Sequence, residues 1–332
     1  MSSPRINEQE LLPVLEEFGR EAHHDLSTLY RHTGLALAGG LFASLALHAV
    51  TGPGNFFVWL PAVAGLLYGV FTFFRIRAAF RVRFKESVVR SVIRHGWPEF
   101  RYLPDGAVSR AEFEASGLFL QDIDDFKGED LIEGQIGATR IRFSEVHARD
   151  RRTRTDSKGR TRSEWVTVFR GTFVIADFNK HFTGATFVLP DSAQRFLGGF
   201  GQSLQSLDRR RGELVKLEDP EFERRFVVYA TDQIEARYIL STSLMQRILD
   251  FQTRARQTLH IAFIHSCVFL ALASTRDALE PPSLFLIARA HAQPAARAQV
   301  LKHLRAYTDY LSLITGIVAE LDLNERLWTR SA

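Results

Sequence analysis

Between Thr33 and Phe74 the chain carries two apolar runs, TGLALAGGLFASLALHAV and FFVWLPAVAGLLYGVFTFF, joined by TGPGN. Neither run contains Asp, Glu, Lys or Arg. At a helical rise of about 1.5 Å per residue, each just crosses a hydrocarbon core of roughly 30 Å. Two membrane-spanning helices in a tight hairpin are therefore expected, with the rest of the chain on one side. A buried helical hairpin in a soluble protein is the rival, since each run is near the lower length limit. Two adjacent charge-free runs with unequal flanks weigh against it. A cleaved signal peptide fits worse, because Glu16, Glu17, Glu21 and Asp25 precede the first run.

Charge sets the expected orientation. Arg75, Arg77, Arg81, Arg83 and Lys85 crowd the exit of the second run, with no acid before Glu86. Arg20 and Arg31 precede the first run, and the hairpin loop has neither Lys nor Arg. Flanks rich in Lys and Arg stay cytoplasmic, so both termini and the main domain are expected there. The whole-chain figures, 24% charged and 45% hydrophobic, average this hairpin with a polar remainder.

Four segments follow from the patterning: an amphipathic N-terminal helix (1–32), a transmembrane hairpin (33–74, spans 33–50 and 56–74), a basic helical stalk (75–97) and a cytosolic α+β domain (98–332). In the first, Leu11, Leu15, Phe18, Ala22, Leu26 and Leu29 form one helical stripe. The adjacent His23 and His24 point about 100° apart and cannot easily share a metal. In the hairpin, Gly39 and Ala43, and Gly65 and Gly69, have the four-residue spacing that lets helices approach closely, on the hairpin itself or between copies. The stalk stripe through Ile76, Phe80, Phe84, Val88 and Val92 predicts a helix to Ile93, stopped by His95-Gly96-Trp97-Pro98.

Beyond Arg101 the pattern predicts strands at 135–148, 165–178, 185–189, 214–217, 225–230 and 236–240. Ser243-Leu-Met-Gln246 has capping-box spacing and should open a helix to about Arg256. Residues 259–264 and 267–273 read as a β-hairpin; as a third span they are short and contain two His and a Ser. Residues 295–323 predict a long helix whose seam (Val300, Leu304, Tyr307, Leu311, Ile314, Val318, Leu321) suits packing on the sheet or self-association. The expected fold class is thus α+β: a transmembrane helical hairpin, then a cytosolic antiparallel sheet with terminal helices.

No phosphate loop, His-Glu-x-x-His or Gly-x-Ser-x-Gly is present, so no enzyme class is indicated and no cofactor or metal is expected. The single Cys267, in an apolar run, reads as a buried small side chain. Asp122, Asp124, Asp125, Glu129 and Asp130 read as a solvated turn. Glu145, His147 and Asp177 lie on expected strands and could converge as a catalytic set. The most conspicuous stretch is RDRRTRTDSKGRTR (149–162), with seven basic residues and two acids. Arg149, Arg151, Arg152, Arg154, Lys158, Arg160 and Arg162 read as a flexible hairpin loop, solvated or in contact with anionic lipid. Nucleic acid is disfavoured, since no aromatic interleaves these residues.

FKESVVRSVI (84–93), GEDLIEGQIGATRIRFSEVHA (128–148), VFRGTFVIADFNKHFTGATFVLP (168–190), FERRFVVYATDQIEARYILSTSLMQRI (222–248) and DLNERLW (322–328) occur in that order. Across residues 75–328 the chain resembles a bacterial family known as a domain of unknown function, some members of which are labelled galanin-like. The resemblance implies a bacterial inner-membrane protein with a transmembrane hairpin and a cytosolic domain, and a LemA-like membrane protein as partner. It carries over no catalytic residue. The function expected is a non-enzymatic, membrane-tethered interaction module or scaffold, with membrane lipids as partners and a homo-oligomer as a further expectation. The alternatives are an enzyme acting on a lipid or peptide, and a channel or transporter subunit. Spans without an ionisable Asp, Glu, Lys or Arg disfavour the latter.

Overall fold

In a computed structural model the chain is α+β: two long apolar helices, then a nine-stranded antiparallel sheet and C-terminal helices. Residues 8–52, 55–155, 161–177, 183–191 and 210–321 are described. The helices are α1 (Glu8–Thr51), α2 (Leu60–Phe84), α3 (Arg90–Gly96), α4 (Arg110–Ala115), α5 (Pro220–Arg225), α6 (Gln233–Ile239), α7 (Thr242–Ala255), α8 (Leu284–Ala290) and α9 (Pro294–Glu320). The strands are β1 (Arg101–Leu103), β2 (Asp125–Ile136), β3 (Thr139–Thr155), β4 (Thr161–Asp177), β5 (Ala185–Pro190), β6 (Glu213–Val215), β7 (Phe226–Ala230), β8 (Thr258–Ile264) and β9 (Cys267–Ala273). They form two compact units. A helical unit holds the described residues from α1 to Gly96 with Leu279–Thr308; a sheet unit holds Trp97–Ala278 with α9 from Asp309 on.

In the helical unit, the expected amphipathic segment and first apolar run are one unbroken helix, α1. The Asn55 side chain accepts from the Phe57 N–H (3.1 Å) and caps the turn that enters α2. One π-turn, Lys85–Val89, joins α2 to α3, so helix persists to Gly96. The stripe on α1 is buried at Phe18, Ala22, Leu26 and Leu29. The Phe18 ring lies 5.5 Å from those of both Phe80 and Phe84. The hairpin closes through small residues. A Cβ at Gly65 would collide with the Ala36 carbonyl, one at Gly40 with Pro61, and one at Gly69 would crowd Thr33. Ser44, buried between the helices, accepts from the Ala62 N–H at 3.1 Å. Gly65 and Gly69 thus face the other helix of the same hairpin, one of the two readings of their spacing. Gly39 faces open space, with Ala43 half-buried.

The sheet unit runs β1-β2-β3-β4-β9-β8-β5-β7-β6. Successive side chains on a strand take opposite faces, so the register assigns each residue to a side. On one face Phe169, Phe173, Ile175, Phe187, Ala262 and Ala271 pack with Val108, Phe113 and Leu118. Those last residues belong to the β1–β2 connection, in which α4 opens with a Ser109–Glu112 capping box. On the other face Tyr310 of α9 meets the Phe143 ring at 6.4 Å and shares a hydrogen bond with Thr172 at 3.0 Å. Burial holds the Tyr310 hydroxyl protonated, its pKa pushed well up. Trp97 Nε1 donates to Thr315 Oγ1 at 3.2 Å, tying the start of this unit to the same helix. Leu304, Leu311, Ile314 and Val318 are each at most 3% exposed in one copy. Their seam is therefore filled within the chain, the first of the two readings its pattern allowed.

Several boundaries differ from the patterning. Residues 135–148 are not one strand: Gly137, at φ 60°, turns β2 into β3. Residues 236–240, expected as a strand, fall mostly in α6, whose first amides bond the Asp232 side chain. The cap of α7 is Ser241, accepting from the Leu244 N–H at 3.4 Å, two residues before the expected one. The β8–β9 hairpin is present, with His265 and Ser266 at φ 49° and 61° supplying its turn.

Candidate functional site

The register of β2, β3 and β4 builds a polar cleft on the α9 face of the sheet. Glu129 lies opposite Glu145, which lies opposite Thr172; Lys127 lies opposite His147, which lies opposite Arg170. Of these, Lys127, Glu129, Glu145, His147 and Arg170 line, with Phe126 and Asp277, an open cleft of about 510 Å³.

Most of these groups are tied to the chain itself. Buried Glu145 accepts from the Ala278 N–H at 2.6 Å. Arg170 donates to both Asp277 carboxylate oxygens at 3.1 Å, and its carbonyl accepts from the Ser274 N–H at 2.9 Å. The segment after β9 is thereby pinned over the cleft edge. Asp130, at φ 61° in a break of the β2–β3 register, is buried and accepts from the Tyr102 hydroxyl at 2.5 Å. The acids expected in a solvated turn are therefore largely in and beside β2. Glu129, Asp130 and Glu145 each bring a carboxylate oxygen within 4.8 Å of the others, close enough to share a cation. Tyr102 and Ala278 already donate to two of them.

His147 is the one imidazole in the cleft. Burial pushes its pKa down, the Arg170 and Arg149 charges push the same way, and Asp125 and Asp277 oppose them. Its Nε2 is 3.5 Å from Thr167 Oγ1. Asp177 does not join Glu145 and His147. It pairs with Arg140 at 2.8 Å and lies an odd number of residues from Thr172, on the opposite face. The set of Glu145, His147 and Asp177 is therefore not a site.

Beyond the cleft, β3 and β4 continue as a two-stranded ribbon from Arg149–Thr155 and Thr161–Thr167. The expected loop is mostly strand. Lys158 and Arg160 lie outside the described residues, as does the Arg154 side chain. Arg149 bonds Asp125 through two nitrogens at 2.8 and 2.5 Å, which holds that carboxyl below the usual carboxylate range. Arg152 pairs with Asp150 at 3.0 Å. The remaining exposed cations include Arg151 and Arg162. An aromatic does join them, one missed by reading the basic stretch in isolation: Trp165, opposite Arg151, is 49% exposed. The Arg149 and Arg151 guanidinium carbons lie 5.0 and 6.0 Å from its ring centroid. Pairing β3 with β4 by parity would have found it.

The basic flank of α2 is likewise partly neutralised. Arg75 and Arg77 are exposed, Arg81 pairs with Glu280 at 3.1 Å, Arg83 pairs with Asp25, and Lys85 is 4% exposed.

The fold defines an α+β chain with an apolar helical hairpin ahead of an antiparallel sheet. Residues 167–323, from β4 past the end of α9, match the family described as "Protein of unknown function (DUF3137)". The blocks at 84–93 and 128–148 lie outside the matched residues. No curated protein matches. Among solved structures, the mycobacterial trehalose monomycolate transport factor A, TtfA, is 12% identical, over 64% of this chain and 88% of that one, at a TM-score of 0.28. An overlap that loose supports no argument about fold or role.

Proposed function

We propose that this chain is a membrane-anchored interaction module. Its hairpin spans the bilayer, and its sheet unit lies at the cytoplasmic face, held to anionic lipid by the β3–β4 ribbon. One observation carries the anchoring. Among the described residues, every exposed large apolar side chain except Trp165, Leu214, Ile234 and Tyr238 falls between Tyr30 and Val82. Leu35 is 71% exposed, Phe42 75% and Phe56 80%. A continuous apolar surface of this kind is unfavourable in water and suits lipid. The two helices are long and apolar enough to cross. Exposed Arg75 and Arg77 at the end of the second run support a cytoplasmic exit.

The ribbon supports the lipid contact. Arg151, Arg152 and Arg162 are exposed, and Trp165 adds an amphipathic ring of the kind that sits at headgroup depth. A role as accessory to another inner-membrane protein, with a LemA-like protein among the candidates, rests on the family resemblance.

The ribbon contact is tested on the full chain with Cys267→Ala, in vesicles with or without phosphatidylglycerol, carrying a fluorophore on Ser163→Cys. Quenching by lipid-borne quencher is expected only with the anionic lipid. Each basic residue near an anionic surface contributes about 1 kcal/mol, so reversing Arg151, Arg152 and Arg162 to Glu should cut the docked-to-free ratio at least about a hundredfold. Quenching that ignores lipid charge and these reversals refutes the ribbon contact.

A further inference from the structure

The second apolar run ends at Phe74, and the next turns of α2 line a cleft within the helical unit. Phe73, Phe74, Ala78 and Phe80 contribute one wall and Pro281–Phe285 another, around a volume of about 490 Å³. Arg77, Arg81 and Glu280 supply its charged groups. Arg81 and Glu280 pair at 3.1 Å, whereas Arg77 is exposed and forms no ion pair among the described residues. The cleft is thus apolar with one net positive charge.

We propose that this cleft binds a single anionic phospholipid, its phosphate on Arg77 and an acyl chain against Phe73, Phe74 and Phe285. The proposal rests on the membrane-spanning reading of α2. Three features favour a lipid. The cleft begins where the charge-free run stops, which is headgroup depth if α2 spans. A guanidinium fork matches a phosphate and forms strong charge-assisted bonds with it. Pro281 and Pro282 have no N–H, so that stretch of wall can meet an acyl chain without stranding backbone donors. A volume near 490 Å³ is in the range of small-molecule sites.

The test is native mass spectrometry of the full-length protein in neutral detergent, with phosphatidylglycerol, phosphatidylcholine or inorganic phosphate added. Wild type should keep one phosphatidylglycerol, and phosphatidylcholine about tenfold less well, because its choline cation cancels the headgroup's net charge and brings a positive group against Arg77 and Arg81. Arg77→Gln should lower phosphatidylglycerol retention by a similar factor of about ten. Ala78→Trp, which fills the cleft and leaves every charge in place, should lower it too. Lys216→Glu, an exposed cation outside both the cleft and the ribbon, should leave it unchanged. Equal retention of both lipids, or retention unaffected by Arg77→Gln and Ala78→Trp, overturns the proposal. So does inorganic phosphate that binds as well as the lipid, which would make this a free-anion site. A chain absent from the membrane fraction contradicts the spanning reading itself. A membrane-resident chain that keeps no phosphatidylglycerol contradicts the cleft alone.

Discussion

Replacing Phe113 by alanine is expected to destabilise the sheet unit by about 3–5 kcal/mol. Phe113 is 1% exposed, and its ring centroid lies 4.9 Å from that of Phe173, 5.3 Å from Phe119, 5.5 Å from Phe126 and 5.7 Å from Phe169. One side chain from a six-residue helix thus joins β2, β4 and the loop after α4. Truncation removes the buried area and leaves a cavity among rings that cannot all shift inward. Phe113→Leu should cost clearly less, because it keeps most of the volume. Hydrogen exchange of the full chain should show the loss in the β4 and β9 amides, with α1 and α2 amides little changed. Equal protection in Phe113→Ala and wild type would contradict this account of the core.

The same aromatic cluster sets an acid limit on stability. His260, on β8, lies with its ring 5.2 Å from that of Phe119. Burial drives its pKa down to about 4; the Ala271 carbonyl partly opposes this, and the Arg211 charge adds to it. An unfolded histidine titrates near about 6.5. Between these values the unfolded chain binds the extra proton, so stability rises with pH. The contribution is complete above about pH 6.5 and lost as pH falls towards 4. A gap of about 2.5 units, at about 1.4 kcal/mol each, amounts to about 3–4 kcal/mol. Denaturant titrations at pH 4.5 and 7, as round values of about that range, should therefore differ by most of this amount in wild type and much less in His260→Leu. A slope of the same size in the variant would assign the acid sensitivity elsewhere.

The hairpin and the β8–β9 turn were legible because their signals are local. A run without charges, or two polar residues between two apolar runs, needs no distant partner to be read. The turn at Gly137 was hidden because QIGATR continues the β-rich composition on both sides. In α6, QIEARYI carries the aromatic and branched side chains of a strand, and the deciding feature is the Asp232 cap. Helix α4 is too short to show a period.

The cleft was half legible. Glu145 and His147, two apart, must share a face of any strand. Lys127, Arg170 and Asp277 reach them through pairing and through the return after β9, which composition does not encode. Asp130 looked like part of a solvated turn because its partner, Tyr102, lies 28 residues away. The seam on α9 was read correctly as apolar, but nothing in a heptad pattern distinguishes a second copy from the chain's own sheet.

Single-cysteine labelling in intact cells tests the central claim most directly. On a Cys267→Ala background, cysteine at Asn55, in the hairpin turn, and cysteine at Thr153, on the ribbon, are exposed to a membrane-impermeant maleimide. An anchored chain with a cytoplasmic sheet unit predicts labelling at Asn55 and none at Thr153 until the cells are opened. Labelling at Thr153 with Asn55 protected would invert the topology, and protection of both in intact cells with release in the soluble fraction would contradict the membrane anchor.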